Sequence, residues 1–176
     1  SSLPIYFNKN YSDKKSHLIT INGSGLNTIS GMFCFNNELT SLNVSNNPKL
    51  KTLEILKNKL KDIDISKNIE LTELNCTWNQ LKSLDVTKNT LLEILSCENN
   101  QLTSLNVCNN TKLMSLFLRS NQLNSNQLNN LFKTLHKNKI WEKTIYIGGN
   151  PGAENCDKSI ATKKGWIVDS EPVEFK

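Results

Sequence analysis

Residues 71–91 read LTELNCTWNQLKSLDVTKNTL, and this stretch decides the fold. It holds two similar halves. The first is L-x-x-L-x-C-x-x-N-x-L (Leu71, Leu74, Cys76, Asn79, Leu81), and the second is L-x-x-L-x-V-x-x-N (Leu81, Leu84, Val86, Asn89). Each half contains an apolar alternation with the period of a strand that buries one face. An asparagine follows three residues later, where the chain must turn.

Outward from this stretch the unit recurs in both directions. Leu39, Leu60, Leu81, Leu102 and Leu123 are spaced by 21 residues, as are Ile29, Leu50, Leu71, Leu92 and Leu113. Asn37, Asn58, Asn79, Asn100 and Asn121 form a third ladder, and Asn47, Asn68, Asn89 and Asn110 a fourth. Four ladders at one period describe coils stacked on coils. Leu53, Leu74 and Leu95 should then pile in a column, about 4.8 Å apart. The asparagines, able to donate and accept, should bond turn backbone groups inside the coils. One coil cannot bury its apolar face alone, so both ends need caps.

These residues resemble bacterial leucine-rich-repeat proteins of the nested 21-residue class, with consensus LxxLxLxxNxLxxLDLxxNxx. Residues 29–123 carry the match. The tail, with IYIGGNPG and CDKSIATKKGW, looks like the C-terminal cap of secreted or surface members from Gram-negative gut bacteria. The resemblance implies a leucine-rich-repeat solenoid of mainly parallel β coils, in the right-handed α/β superhelix class. It also implies placement outside the cytoplasm and a recognition role, without naming a ligand.

The division expected is an N-terminal cap (1–28), repeats of 21 residues (29–123), a long final repeat with a helix (124–152) and a C-terminal cap (153–176). In the final repeat Leu128, Leu131, Phe132 and Leu135 have helical spacing, with Ser125 as the N-cap. Ile145, Ile147 and Asn150 then restart the first-half pattern. A helix is wider than a strand and belongs on the convex side, so the first half should carry the concave sheet. A second helix over about 153–164 and an edge strand at Trp166–Val168 complete the expected end. At the other end Ile5–Phe7 and Leu18–Ile21 fit a β-type cap, with residues 8–16 the least structured.

Composition narrows the function classes. The chain has 27 asparagines, and its net charge of +5 comes from lysine, with Arg119 the one arginine. Nucleic-acid readers carry denser basic stripes with arginine, so no nucleic-acid partner is expected. No apolar run approaches the roughly 18 residues of a membrane span, so no membrane insertion is expected. Ser1 and Ser2 read as a start left after a leader was removed, with a lipid anchor in the full-length protein one form of attachment.

On the sheet the side chains between the buried ones point outward. The ligand-binding face expected from this alternation comprises Phe33, Phe35, Glu54, Leu56, Lys57, Asn75, Trp78, Glu98, Phe117, Arg119 and Tyr146. These positions differ from coil to coil, and exposed aromatics beside charges suit an interface. Caps could cover Phe33 and Phe35 at one end and Phe117 and Tyr146 at the other. Trp78, in mid-array, is the foremost contact. The partner expected is a protein or a glycan. The alternative is a structural or adhesive spacer in a bacterial surface protein.

The second-half outward residues, among them Asp62, Asp64 and Asp85, are short and monotonous. They fit solvated or turn-bonding side chains better than calcium ligands, since the glycine-rich spacing of calcium-binding rolls is absent. Cys34, Cys76 and Cys97 take a buried ladder position and read as core. With only His17 and His136 available, a catalytic constellation is lacking; a Cys156–His136 pair is the remote exception. No cofactor, metal or enzymatic activity is expected.

Overall fold

The computed structural model describes residues 29–171 in full and, ahead of them, the backbone of two short strands. The stretch 8–16 and the side chains of the first cap lie outside the described residues. The strands are β1 (Ile5–Phe7), β2 (Leu18–Thr20), β3 (Gly31–Cys34), β4 (Ser41–Asn43), β5 (Thr52–Glu54), β6 (Glu73–Asn75), β7 (Ile94–Ser96), β8 (Ser115–Phe117), β9 (Lys143–Tyr146) and β10 (Trp166–Asp169). Two helices, α1 (Ser125–Thr134) and α2 (Ser159–Thr162), flank β9.

Eight strands form one parallel sheet in the order β1-β3-β5-β6-β7-β8-β9-β10, while β2 pairs with β4 in a second, two-stranded sheet. Leu53 faces Leu74, Leu74 faces Leu95, Leu95 faces Leu116, and Leu116 faces Ile145. All five side chains are fully buried, so they form one column between the two sides of the coil. Burying each leucine contributes about 1.5–3 kcal/mol before the entropy of ordering it is charged against the gain.

The sheet-side asparagines stitch neighbouring coils together. Asn79 donates through Nδ2 to the carbonyls of Ile55 (2.9 Å) and Cys76 (3.0 Å). Its Oδ1 accepts from the Leu60 N–H at 3.0 Å. Asn100 repeats the pattern one coil later with Cys76, Cys97 and Leu81. Asn150 does so after the long coil, donating to Leu118 and Ile147 and accepting from Leu123. Each amide thus satisfies backbone groups that a turn would otherwise bury unpaired.

The opposite half departs from a simple strand reading. Among the described residues the strands there are Leu18–Thr20 and Ser41–Asn43, paired with each other, and no later coil has one. Beyond them the backbone amides find side chains: Ser66 donates to Asp64 Oδ1 (2.9 Å), Thr87 to Asp85 Oδ1 (2.9 Å) and Cys108 to Asn106 Oδ1 (3.0 Å). These Asx turns compete locally with a ladder, and they account for the acidic residues at this position. The hydrogen bonds hold the Asp64 and Asp85 carboxyls below the usual range.

In the long coil α1 takes the place of this half. Its N-cap is Asn124 rather than Ser125: Asn124 Oδ1 accepts from the Gln127 N–H while the Gln127 side chain accepts from the Asn124 N–H, closing a capping box. The helix buries Leu128, Leu131 and Phe132. Gly152 passes so close to its start that a Cβ there would lie 2.1 Å from the Ser125 nitrogen. At the other end Lys164 Nζ reaches the carbonyls of Phe132 (3.1 Å), Lys133 (2.5 Å) and Leu135 (2.7 Å), placing a cation on the helix C-terminus. The second helix is only Ser159–Thr162, preceded by turns. Asp157 Oδ1 binds the Ser159 N–H at 3.0 Å, and this turn delays the start of the helix.

Candidate ligand-binding face

The register sets Phe33, Glu54, Asn75, Ser96, Phe117 and Tyr146 side by side across the sheet. All six are half-buried, with the leucine and isoleucine column beneath them. The face is not uniform, and the structure sorts the expected site residues into two groups.

The C-terminal group is locked. Phe117 and Tyr146 stack nearly parallel with centroids 4.6 Å apart. The Arg119 guanidinium lies 4.6 Å from the centroid of the Tyr146 ring. It pairs with Asp169 at 2.9 Å, contacts Glu98 at 3.7 Å, and donates through Nε to the Glu171 carbonyl at 3.2 Å. Burial raises the Glu98 pKa and Arg119 partly offsets it. Arg119 therefore joins β8 to the end of β10. Asp169 and Glu171 are residues that sequence reasoning missed, since nothing local ties them to a position 50 residues earlier.

The N-terminal group is more open. Phe33 and Phe35 meet edge to face with centroids 6.0 Å apart, and Phe35 is exposed. Phe35, Glu54, Leu56 and Lys57 border an open depression of about 510 Å³. Burial, followed by the charge of Glu73, pushes the Glu54 carboxyl up. Asn75, one coil on, turns its Oδ1 back to the Thr77 N–H at 3.1 Å.

Trp78 stands at the rim of this group and is 45% exposed. Its backbone is left-handed, with φ +59°. Lys57 (+55°), Asn99 (+53°), Ser120 (+55°) and Gly149 (+74°) adopt the same conformation in other coils. The turn before each sheet-side asparagine requires it. Asparagine and glycine tolerate this region, whereas a bulky indole adopts it at a cost of about 1 kcal/mol. Glycine at 149 and asparagine at 99 were the signal available in the sequence.

The cysteines form no disulfide among the described residues. Cys34, Cys76 and Cys97 share one core column with Ile55, Leu118 and Ile147, all fully buried. Burial pushes the Cys34 thiol up to about 12. The two nitrogens of His136 are both engaged by backbone: Nε2 lies 2.8 Å from the Leu113 carbonyl and Nδ1 accepts from the Asn138 N–H at 3.2 Å. That arrangement suits the neutral ring, and burial lowers the His136 pKa. Cys156 Sγ is directed to the Ala153 carbonyl at 3.4 Å. No group of three or more potential metal-ligating side chains occurs among the described residues.

No protein-family model matches the chain, and no curated protein matches it. Solved structures do. The functional domain of InlJ from Listeria monocytogenes, which includes a cysteine ladder, matches with TM-score 0.56 and 28% identity over 90% of this chain. The fold is a leucine-rich-repeat solenoid. The internalins InlF (TM-score 0.65, 24% identity, 86% of this chain) and InlC2 (0.66, 22%, 80%), both from Listeria monocytogenes, share it. The chain spans 37%, 43% and 61% of the lengths of these three neighbours, in that order. Among the described residues no helix is long and apolar enough to cross a membrane.

Proposed function

We propose that this solenoid is a non-catalytic binding module that recognises a protein or glycan ligand on the concave side of its eight-stranded sheet. The observation that carries this reading is Trp78, a large indole kept half-exposed in a backbone conformation that disfavours it. Other coils place Lys57, Asn99 and Ser120 at the same left-handed turn, and only this one presents a large aromatic there, the residue type that anchors interfaces. The depression beside Phe35, Leu56 and Lys57 supplies an apolar floor with a charged margin next to it. The locked cluster of Phe117, Arg119 and Tyr146 serves this face as its rigid wall. The likeness to internalin structures supports an interaction or adhesion module. The proposed place of action is the cell surface or the extracellular space.

The test uses Trp78→Asn and Leu56→Ala against immobilised panels of extracellular proteins and glycans. Each change is expected to weaken the captured interaction on the order of tenfold, as truncation of a central anchor does, with an unchanged fold. An interaction unaffected by both changes but lost on altering Asp64 and Asp85 would put the site on the opposite half.

A further inference from the structure

We propose that the C-terminal end of the solenoid carries a second binding site, a lysine-rimmed recess walled by Trp141, which takes an acidic sugar chain. The recess has a volume of about 550 Å³ and lies between the loop entering β9 and the turn entering β10. It therefore opens at the N-terminal ends of these strands, whereas the Trp78 turn follows the C-terminal end of its strand. The two sites occupy opposite rims.

Trp141 is 86% exposed, more than any other large apolar side chain described. A lone exposed apolar side chain is ordinary; Trp141 stands apart because it walls a recess that also gathers lysines. Around it Lys137, Lys139 and Lys163 are exposed, and none has a hydrogen bond or ion pair from its ammonium group among the described residues. Asp157 is the acid influenced by Lys163, and Glu142, next to Trp141 in the chain, does not line the recess. Two further lysines form the floor with their charges already committed. Lys143 Nζ binds the carbonyls of Asn138 (2.8 Å) and Lys164 (2.6 Å), and Lys164 caps α1. The recess is thus built on a fixed base and rimmed by three exposed lysines, of which Lys163 also acts on Asp157.

A flat apolar wall beside cations, in a concavity, fits a sugar ring bearing a carboxylate or sulfate. The C–H face of the ring can stack on the indole, the anionic group can pair with a lysine, and the hydroxyls can stay in water. Lysine suits anions spaced irregularly along a flexible chain, because its ammonium is a mobile point charge rather than a fixed fork. A single-stranded nucleic acid would call for successive stacking platforms and arginine. Here one aromatic is present, and the single arginine, Arg119, is held by Asp169.

Calorimetric titration of the chain with a heparin-derived oligosaccharide and an oligogalacturonate separates sulfate from carboxylate as the anionic source. Neutral dextran and a single-stranded DNA oligomer are the controls. The expected result is binding of one or both acidic saccharides and none of dextran. Trp141→Ala should weaken it about tenfold with the salt slope kept. Joint Lys137→Gln, Lys139→Gln and Lys163→Gln changes should weaken it and flatten the slope. Trp78→Asn should leave it intact. Thermal unfolding matching the parent shows that the variants fold. Absence of saccharide binding, equal binding by the Trp141 and lysine variants, or tighter binding of DNA with the same Trp141 dependence would overturn the proposal.

Discussion

The two halves of each coil place asparagine at matching points and use it differently. On the sheet side Asn79 and Asn100 donate to two coils and accept a backbone N–H from a third stretch. On the opposite side Asn68, Asn89 and Asn110 donate to two carbonyls, while their buried Oδ1 atoms have no partner among the described residues. The sheet side is closed by backbone and asparagine hydrogen bonds between coils, whereas the opposite side combines asparagine donors between coils with Asx turns within them. A fully bonded frame can carry unlike residues on its surface, which is where Phe35, Leu56 and Trp78 appear. The opposite surface repeats short side chains whose work is local.

The sharpest way to break this comparison is to remove one asparagine from each half. Asn79→Ala strands the buried Leu60 N–H, and the expected loss is about 3 kcal/mol. Asn89→Ala removes donors to Ile65 and Asn68, whose carbonyls keep backbone partners, so about 1 kcal/mol is expected. Urea unfolding of both variants checks the order, and an equal loss would erase the distinction.

Trp78→Asn should act in the other direction. Asparagine accepts the left-handed turn more readily, so unfolding stability should rise by about 0.5–1 kcal/mol while ligand binding falls. A variant that loses stability would show the indole to be a packing residue.

The smallest effect belongs to Asp85→Ala, which removes one exposed Asx turn. The Asp85 carboxyl is held below its ordinary value of 3.8 by hydrogen bonds from Thr87. Its contribution is present above that value and is lost as the pH falls through the lowered one. The variant should therefore match the parent in acid and be slightly less stable at neutral pH. A difference of the same size at both pH values would contradict the assigned role.

The stacked core was legible because period carries it: Leu53, Leu74 and Leu95 and both asparagine ladders occupy fixed slots in the unit. The Arg119 lock was not, because it depends on the register of β10 against β9, which no repeat encodes. The α1 cap fell one residue from expectation because Asn124 and Ser125 are both good caps, and Gln127 decides between them through its return bond. Trp141 went unread because it lies in a connection outside the period, where only the folded chain brings Lys137, Lys139 and Lys163 around it.

Native-state amide hydrogen exchange tests the difference between the halves most directly. The Cys76, Cys97 and Leu81 N–H groups, bonded between coils, should exchange only through global opening. The Ser66, Thr87 and Cys108 N–H groups, bonded to exposed side-chain oxygens, should exchange through local opening many times faster. Equal protection across the two sets would contradict the account.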